Sequence, residues 1–291
     1  MATKVEFEIL GEQNVPDNDK DSISISRRIE QRAFYPPRRN NVQGVNNLIF
    51  IHHAKTQSRI PALLIEYPHA HEDTPIVLFS HGNAENLASI EPWLYTLSQV
   101  LCAHVIAYEY QGYGIGEEID AKRASEKSMY DRISATYYWI VHCRKIKPQN
   151  IFLFGFSIGT VPTISLAAAK DIVIAGVILQ GTFLSVCSLL ADRFAFCLAG
   201  MVRGILENFD IMKNYERLAE FDPSIPVLII HGEKDPEVPI SHATAISEIL
   251  QKCPVDLLFF EQGKHEDIHT RPGFETRYYN GIRNFLDKDK S

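Results

Sequence analysis

Paired cysteines are missing from this chain. Its five cysteines (Cys102, Cys143, Cys187, Cys197 and Cys253) are an odd number, widely scattered and never at CxxC spacing. That pattern excludes a disulfide framework and predicts reduced, mostly buried thiols in a reducing compartment. An excess of positive charge is missing as well. Against 36 Asp and Glu stand 29 Lys and Arg, a net charge of −7, which argues against nucleic acid as a partner. No apolar run approaches membrane-spanning length; Ile172–Leu179 is strand-sized. The opening MATKVEFEIL places Glu6 and Glu8 where a signal peptide needs an unbroken apolar stretch. Ala2 excludes N-myristoylation, and the terminal DKDKS is not a prenylation box. These absences predict a cytoplasmic protein, peripheral at membranes if it meets them at all.

What is present is ordinary globular material: 45% hydrophobic and 22% charged over 291 residues, enough for one large core. Residues 1–45 are a polar N-terminal extension with Pro36, Pro37 and a basic cluster of Arg27, Arg28, Arg32, Arg38 and Arg39. The cluster reads as a solvated face, with transient contact at an anionic membrane surface as the alternative. Beyond it, strand and helix patterns alternate. Asn47–His52 and Ile60–Tyr67 predict an opening hairpin or meander. Strands follow at Pro75–Ser80, His104–Tyr108, Asn150–Phe156, Ile172–Gln180, Val227–Ile230 and Asp256–Phe260. Helical spacing covers Ala84–Leu101, Ser125–Cys143, Ile158–Ala169, Ala243–Leu250 and Gly273–Leu286. Fully apolar strands between amphipathic helices call for a mostly parallel sheet covered on both faces, a single α/β domain over residues 1–291. One interruption, 181–215, carries the stripe Leu190, Phe194, Leu198, Met201 and Ile205, and predicts a small helical cap over the carboxyl edge. Leu190, Phe194 and Leu198 are its candidate substrate-binding residues.

The chemistry is carried by Gly155-Phe156-Ser157-Ile158-Gly159, a G-x-S-x-G pattern directly after the strand IFLF and at the start of a helix. A sharp strand-to-helix turn of this kind lifts a serine oxygen into the open. A serine hydroxyl needs a base, and the base needs an orienting acid. In this fold they follow in the order acid, then histidine, each after a strand. Asp235 in HGEKDPEVP is the candidate acid, with Glu237 as its rival. His265 in EQGKH is the candidate base. An oxyanion hole is expected from backbone N–H groups of Asn83, or Ala84, in HGNAEN and of Ile158. The turn pair His69 and His71 has no accompanying metal ligands, and no cofactor is expected.

The segments SHGNAEN, YEYQGYGIG, SEK at 125–127, GFSIGTVPT, HGEKDPEVPISHA and GKHEDI resemble, in order and spacing, the α/β-hydrolase-domain-17 group of protein depalmitoylases. The likeness covers roughly residues 30–288 and extends past the nucleophile through Gly159–Thr163. It implies an α/β-hydrolase fold, hydrolysis of palmitoyl thioesters on protein cysteines, an acylated protein or lipid as substrate, and Ser157, Asp235 and His265 as the triad. Three features depart from the group. No cysteine precedes Cys102, Phe156 replaces the usual glutamine, and 181–215 is more apolar and helical.

Three other readings compete. His265-Glu266-Asp267-Ile268-His269 spells H-E-x-x-H, but a zinc protease needs it on a helix with a third ligand downstream. A lipid or carboxylic ester hydrolase, or a serine peptidase, would use the same chemistry on this fold. A non-catalytic scaffold would have no need of the triad. Gly112–Gly116 lacks the third glycine of a dinucleotide loop, since Glu117 stands in its place.

Overall fold

The computed structural model describes residues 30, 32–34, 36, 47–52, 58–116, 123–193 and 210–288. The basic arginines other than Arg32, and Phe194, Leu198, Met201 and Ile205 of the apolar stripe, lie outside these. Arg32 is exposed.

Eight strands form one sheet: β1 (Leu48–His52), β2 (Arg59–Ile65), β3 (Ile76–Ser80), β4 (His104–Tyr108), β5 (Ile151–Phe156), β6 (Gly176–Gln180), β7 (Val227–Gly232) and β8 (Val255–Phe260). Their spatial order is β1-β2-β4-β3-β5-β6-β7-β8. β1 pairs antiparallel with β2, and β2 with β4; all other neighbours are parallel. This is the predicted mostly parallel sheet with an opening antiparallel hairpin, an α/β-hydrolase fold.

Alternation along each strand separates two core layers. Ile76 and Leu78 of β3 face one side with Leu153 and Val177, packed by α2 (Glu126–His142) through Met129, Ile133, Tyr137 and Ile140. The helix α3 (Thr160–Ala167) joins this layer through Val161 and Ile164. Val77 and Phe79 face the other side with Phe154 and Ile178, under α1 (Leu87–Leu101) and α7 (Glu275–Asp287). Strands apolar at every position are those covered on both faces. Further helices are α4 (Val186–Arg193), α5 (Asn214–Leu218) and α6 (Ile240–Ile249).

Capping sets two helix starts. Asn86 accepts from the Ser89 N–H at 3.0 Å while its own N–H donates to Ser89 Oγ at 3.0 Å. α1 therefore begins at Leu87, three residues after the start that apolar spacing predicts. Ser125 and Ser128 make the same reciprocal pair ahead of α2.

The largest departure from expectation lies before β6. The predicted strand Ile172–Gln180 begins only at Gly176. Residues 172–175 are apolar yet irregular, because the chain must cross from α3 to the sheet here. Val173, 49% exposed, is tied to the Tyr137 hydroxyl through its backbone.

Within 181–215, α4 is described and α5 begins at Asn214. The start of α4 is anchored by the Val186 N–H donating to Ile211 O at 3.2 Å and the Cys187 N–H to Asp210 Oδ1 at 2.9 Å. The chain returning at 212 is fastened to α2, where Glu126 accepts from the Met212 N–H at 2.9 Å and from Arg217 Nη2 at 3.3 Å. Among the described residues, no helix is long and apolar enough to cross a membrane.

Candidate active site

Register fixes where the chemistry can gather. β3, β5, β6, β7 and β8 run parallel, with Ser80 opposite Gly155, Phe156 opposite Gln180 and Gly232 opposite Phe260. The chain leaves β3 toward β4 on one side, yet β5 lies on the other. Loops at such a reversal diverge and leave a crevice at the carboxyl edge. The loops bearing His81–Asn86, Ser157, Asp235 and His265 all open there.

β5 ends at Phe156, and the backbone turns immediately into a 3₁₀ turn at Ser157–Gly159 and then α3. Ser157 sits at φ 53°, the left-handed region that a residue with a side chain rarely adopts. The bend is tight against β3: a Cβ on Gly159 would stand 2.0 Å from Ser80 O. Only glycine fits there.

The three sequence-predicted side chains meet in one chain of contacts. Ser157 Oγ is 2.8 Å from His265 Nε2, and His265 Nδ1 is 2.6 Å from Asp235 Oδ2. With a carboxylate on Nδ1, that nitrogen carries the proton and Nε2 is left to accept from the serine hydroxyl. The arrangement can take a proton from Ser157 as its oxygen attacks an acyl carbon.

Asp235 is buried with a side-chain exposure of 1%. Burial alone would raise its pKa. The His265 hydrogen bond and charge, with the Val238 and Glu237 N–H groups, outweigh burial and hold the carboxyl below its ordinary range. Those two N–H groups each donate to Asp235 Oδ1 at 2.8 Å. The rival Glu237 thus contributes its backbone N–H to the support of Asp235. His231 braces the same loop, its Nε2–H donating to Val238 O at 2.9 Å.

His265 is held from two further sides. The Phe156 ring lies 5.1 Å from it, centroid to centroid, tilted by 35°. Gly181, at φ 60°, passes close beneath: a Cβ there would fall 2.8 Å from His265 Cε1. The motif reading found neither contact. Phe156 stood out in the sequence only as a departure within the elbow, and Gly181 carried no signal.

The loop after β3 lies against the elbow, since the Gly159 Cα abuts the Ser80 and His81 carbonyls. Asn83 is in this loop and Ile158 in the turn after Ser157, as an oxyanion hole requires. The Asn83 side chain is otherwise engaged, donating to Ala33 O at 2.7 Å and accepting from the Tyr113 hydroxyl at 2.6 Å. The Asn83 side chain thus ties this loop to Ala33 and to the segment after β4. Of the candidate slot residues, Leu190 is half-buried on α4, while Phe194 and Leu198 lie outside the described residues.

The H-E-x-x-H order does not form a metal-binding face. Residues 265–269 are a run of turns between β8 and α7, not a helix. His265 turns to Ser157 and Asp235, whereas the His269 ring packs against Trp93 at 5.2 Å and Tyr278 at 6.1 Å.

Comparison with known proteins agrees with this fold. The model of the prolyl oligopeptidase family matches residues 111–289. Two curated relatives are named α/β-hydrolase-domain-containing protein 17C. The one from Xenopus tropicalis is 30% identical over 73% of this chain and 62% of its own length. The Homo sapiens 17C is also 30% identical, over 73% of this chain and 58% of its own length. The chain thus spans about three fifths of the length of the curated relatives it matches. Among solved structures, an esterase from Pyrococcus furiosus superposes with a TM-score of 0.62 at 14% identity, covering 89% of this chain and 98% of that one. A carboxyl esterase from Bacillus coagulans gives 0.64 at 16% identity, covering 83% and 97%. At such identities these two structures speak for the fold alone. The family model covers more than half of the sequence, and the chain belongs to the prolyl oligopeptidase family, with the α/β-hydrolase fold.

Proposed function

We propose that the protein is a serine hydrolase that cleaves acyl thioesters and esters through an acyl-enzyme, with palmitoyl groups on protein cysteines as its substrate class. The observation that carries the reading is the unbroken chain from Ser157 through His265 to Asp235, at 2.8 and 2.6 Å. Ser157 Oγ attacks the acyl carbon as His265 Nε2 takes its proton. The oxyanion meets the backbone N–H groups of Asn83 and Ile158. His265 returns the proton to the departing thiol, and water attacking the acyl-serine regenerates Ser157 by the same relay. The relatives' name supports a hydrolase without specifying the acyl donor, so the thioester rests on the motif resemblance.

Cytoplasmic placement with transient contact at a membrane surface belongs to the same proposal, because a palmitoylated substrate resides there. The stripe Leu190, Phe194 and Leu198 is the proposed acyl-binding wall. Each buried methylene contributes about 0.8 kcal/mol, so kcat/KM should climb steeply from acetyl to long-chain substrates. Phe194→Asp should flatten that climb while sparing acetyl hydrolysis. A uniform loss with a lowered Tm would assign the stripe to ordinary packing.

The test of the reaction class is labelling by a fluorophosphonate, followed by a panel of acyl thioesters, esters and amides. Labelling must vanish in Ser157→Ala; its persistence would remove the proposal. The family match favours a second reading, a serine peptidase, which rapid turnover of peptide amides in preference to thioesters would select.

A further inference from the structure

The first residue after β3, His81, is completely buried, and so is the first residue after β4, Glu109, at 1% exposure. His81 Nε2 lies 3.0 Å from Glu109 Oε1, and His81 Nδ1 lies 2.9 Å from Gly82 O. A carboxylate and a carbonyl both only accept hydrogen bonds. Each ring nitrogen therefore faces an acceptor, and both are satisfied together only by the imidazolium. Burial by itself would strip this proton. The Glu109 hydrogen bond and charge outweigh burial, with smaller contributions from Gly82 O and Glu85.

The carbonyl that receives the His81 Nδ1–H belongs to the peptide unit whose other end is the Asn83 N–H. In a trans peptide the C=O and N–H point in opposite directions. Fixing Gly82 O on His81 thus fixes the direction of the Asn83 N–H. The neighbouring peptide is locked likewise: the Tyr110 hydroxyl donates to His81 O at 2.6 Å, and the Gly82 N–H donates to Glu85 Oε2 at 2.5 Å. Glu109 has its own supports, accepting the Leu87 N–H at 3.2 Å on Oε2 and, on its backbone carbonyl, Arg132 Nη1 at 2.8 Å. The Tyr110 ring covers His81 at 3.9 Å between centroids, with Tyr113 at 5.8 Å. Nothing in Ser157, His265 or Asp235 requires this buried ion pair.

We infer that Glu109 and a doubly protonated His81 are positioning residues of the oxyanion hole, which orient and polarise the Gly82–Asn83 peptide so that the Asn83 N–H is a stronger donor to the developing oxyanion. A cation on the carbonyl end of a peptide draws electron density away from its N–H, and the site is dry enough for that field to be felt. This inference rests on the serine-hydrolase reading and deepens it.

Glu109→Gln is the decisive variant, because a glutamine amide donates to a neutral His81 Nε2 and its oxygen still accepts from Leu87. The hydrogen bonds survive and only the charge is lost. With a soluble thioester as probe, kcat should fall about tenfold while KM stays within twofold, a fraction of the 10²–10³ that loss of a whole oxyanion donor costs. Glu109→Asp, which keeps the charge, should recover part of the rate. In the wild type, nitrogen NMR of labelled histidine should find both ring nitrogens of His81 protonated at pH 7.5. Unchanged kcat in a folded Glu109→Gln protein would overturn the inference. So would a loss that appears in KM, a loss that Glu109→Asp leaves unrepaired, or a neutral ring in the wild type. Ser157→Ala run in parallel separates the two claims. If it retains turnover, the serine-hydrolase reading fails; if it is inert and Glu109→Gln is normal, only this inference fails.

Discussion

Two His-Gly pairs end two strands of this sheet, His81-Gly82 after β3 and His231-Gly232 closing β7, and their surroundings shift the two histidine pKa values in opposite directions. Both histidines are fully buried. His81 has an acceptor at each nitrogen, one of them the Glu109 carboxylate. His231 has a single acceptor at hydrogen-bond distance, Val238 O on Nε2; the Asp235 carboxylate stands off at 3.6 Å and its Nδ1 has no partner. Burial accordingly dominates at His231 and pushes its pKa down, while Glu109 holds the pKa of His81 up. The same dipeptide at the same depth holds its proton more tightly on one loop and more loosely on the other. What differs is the acceptor set supplied by residues distant in sequence.

On the proposed mechanism the β7 loop keeps the acid and the β3 loop keeps the oxyanion peptide, and substitutions should rank accordingly. Ser157→Ala and His265→Ala remove the reacting pair and should cost on the order of 10⁶ in kcat, measured by thioester turnover. Asp235→Asn should cost about 10⁴, because it leaves the ring in place but reverses its tautomer. A His265→Ala protein that folds and retains near-normal activity would dissolve the triad and this ranking with it.

Next in size is Gly181→Ala. Its new Cβ would stand 2.8 Å from His265 Cε1, at a backbone φ of 60°. Displacing the ring by about 1 Å should cost on the order of 10² in kcat with little change in KM. Unaltered kcat would mean that the ring yields freely and that Gly181 is no part of its support.

The smallest effects sharpen the comparison most, because they differ in sign. A histidine with a raised folded pKa stabilises fully below its unfolded value, near 6.5, and loses that contribution as pH rises through the folded pKa. His81 should follow this course. A histidine with a lowered folded pKa acts the other way. Its unfolded form takes up the proton first, so stability falls as pH drops below about 6.5, which is the course for His231. Denaturant titrations from pH 5 to 9 should therefore show His81→Gln relieving an alkaline loss and His231→Gln relieving an acid one. Parallel curves for the two variants would erase the distinction.

Much of this molecule follows from sequence pattern alone. Apolar strands such as IVLFS and IFLFGF had to be covered on both faces, and the helical spacing between them supplied the covers. The G-x-S-x-G turn after β5, the aspartate after β7 and the histidine after β8 were readable because each is a local signal at a strand end, and parallel order puts all strand ends on one edge. Local signals misled where capping or a crossing overrode apolarity, at Asn86 and at Ile172–Ala175. Other features depend on residues far apart in the chain. Sequence could not say that Phe156 would face His265, that Gly181 would lie beneath it, or that His269 would pack on Trp93 instead of joining a metal site. Nor could it say which of two His-Gly pairs would have its pKa raised and which lowered. A side chain's proton is decided by the acceptors that tertiary packing brings within about 3 Å, and Glu109 reaches His81 only because β3 and β4 lie side by side.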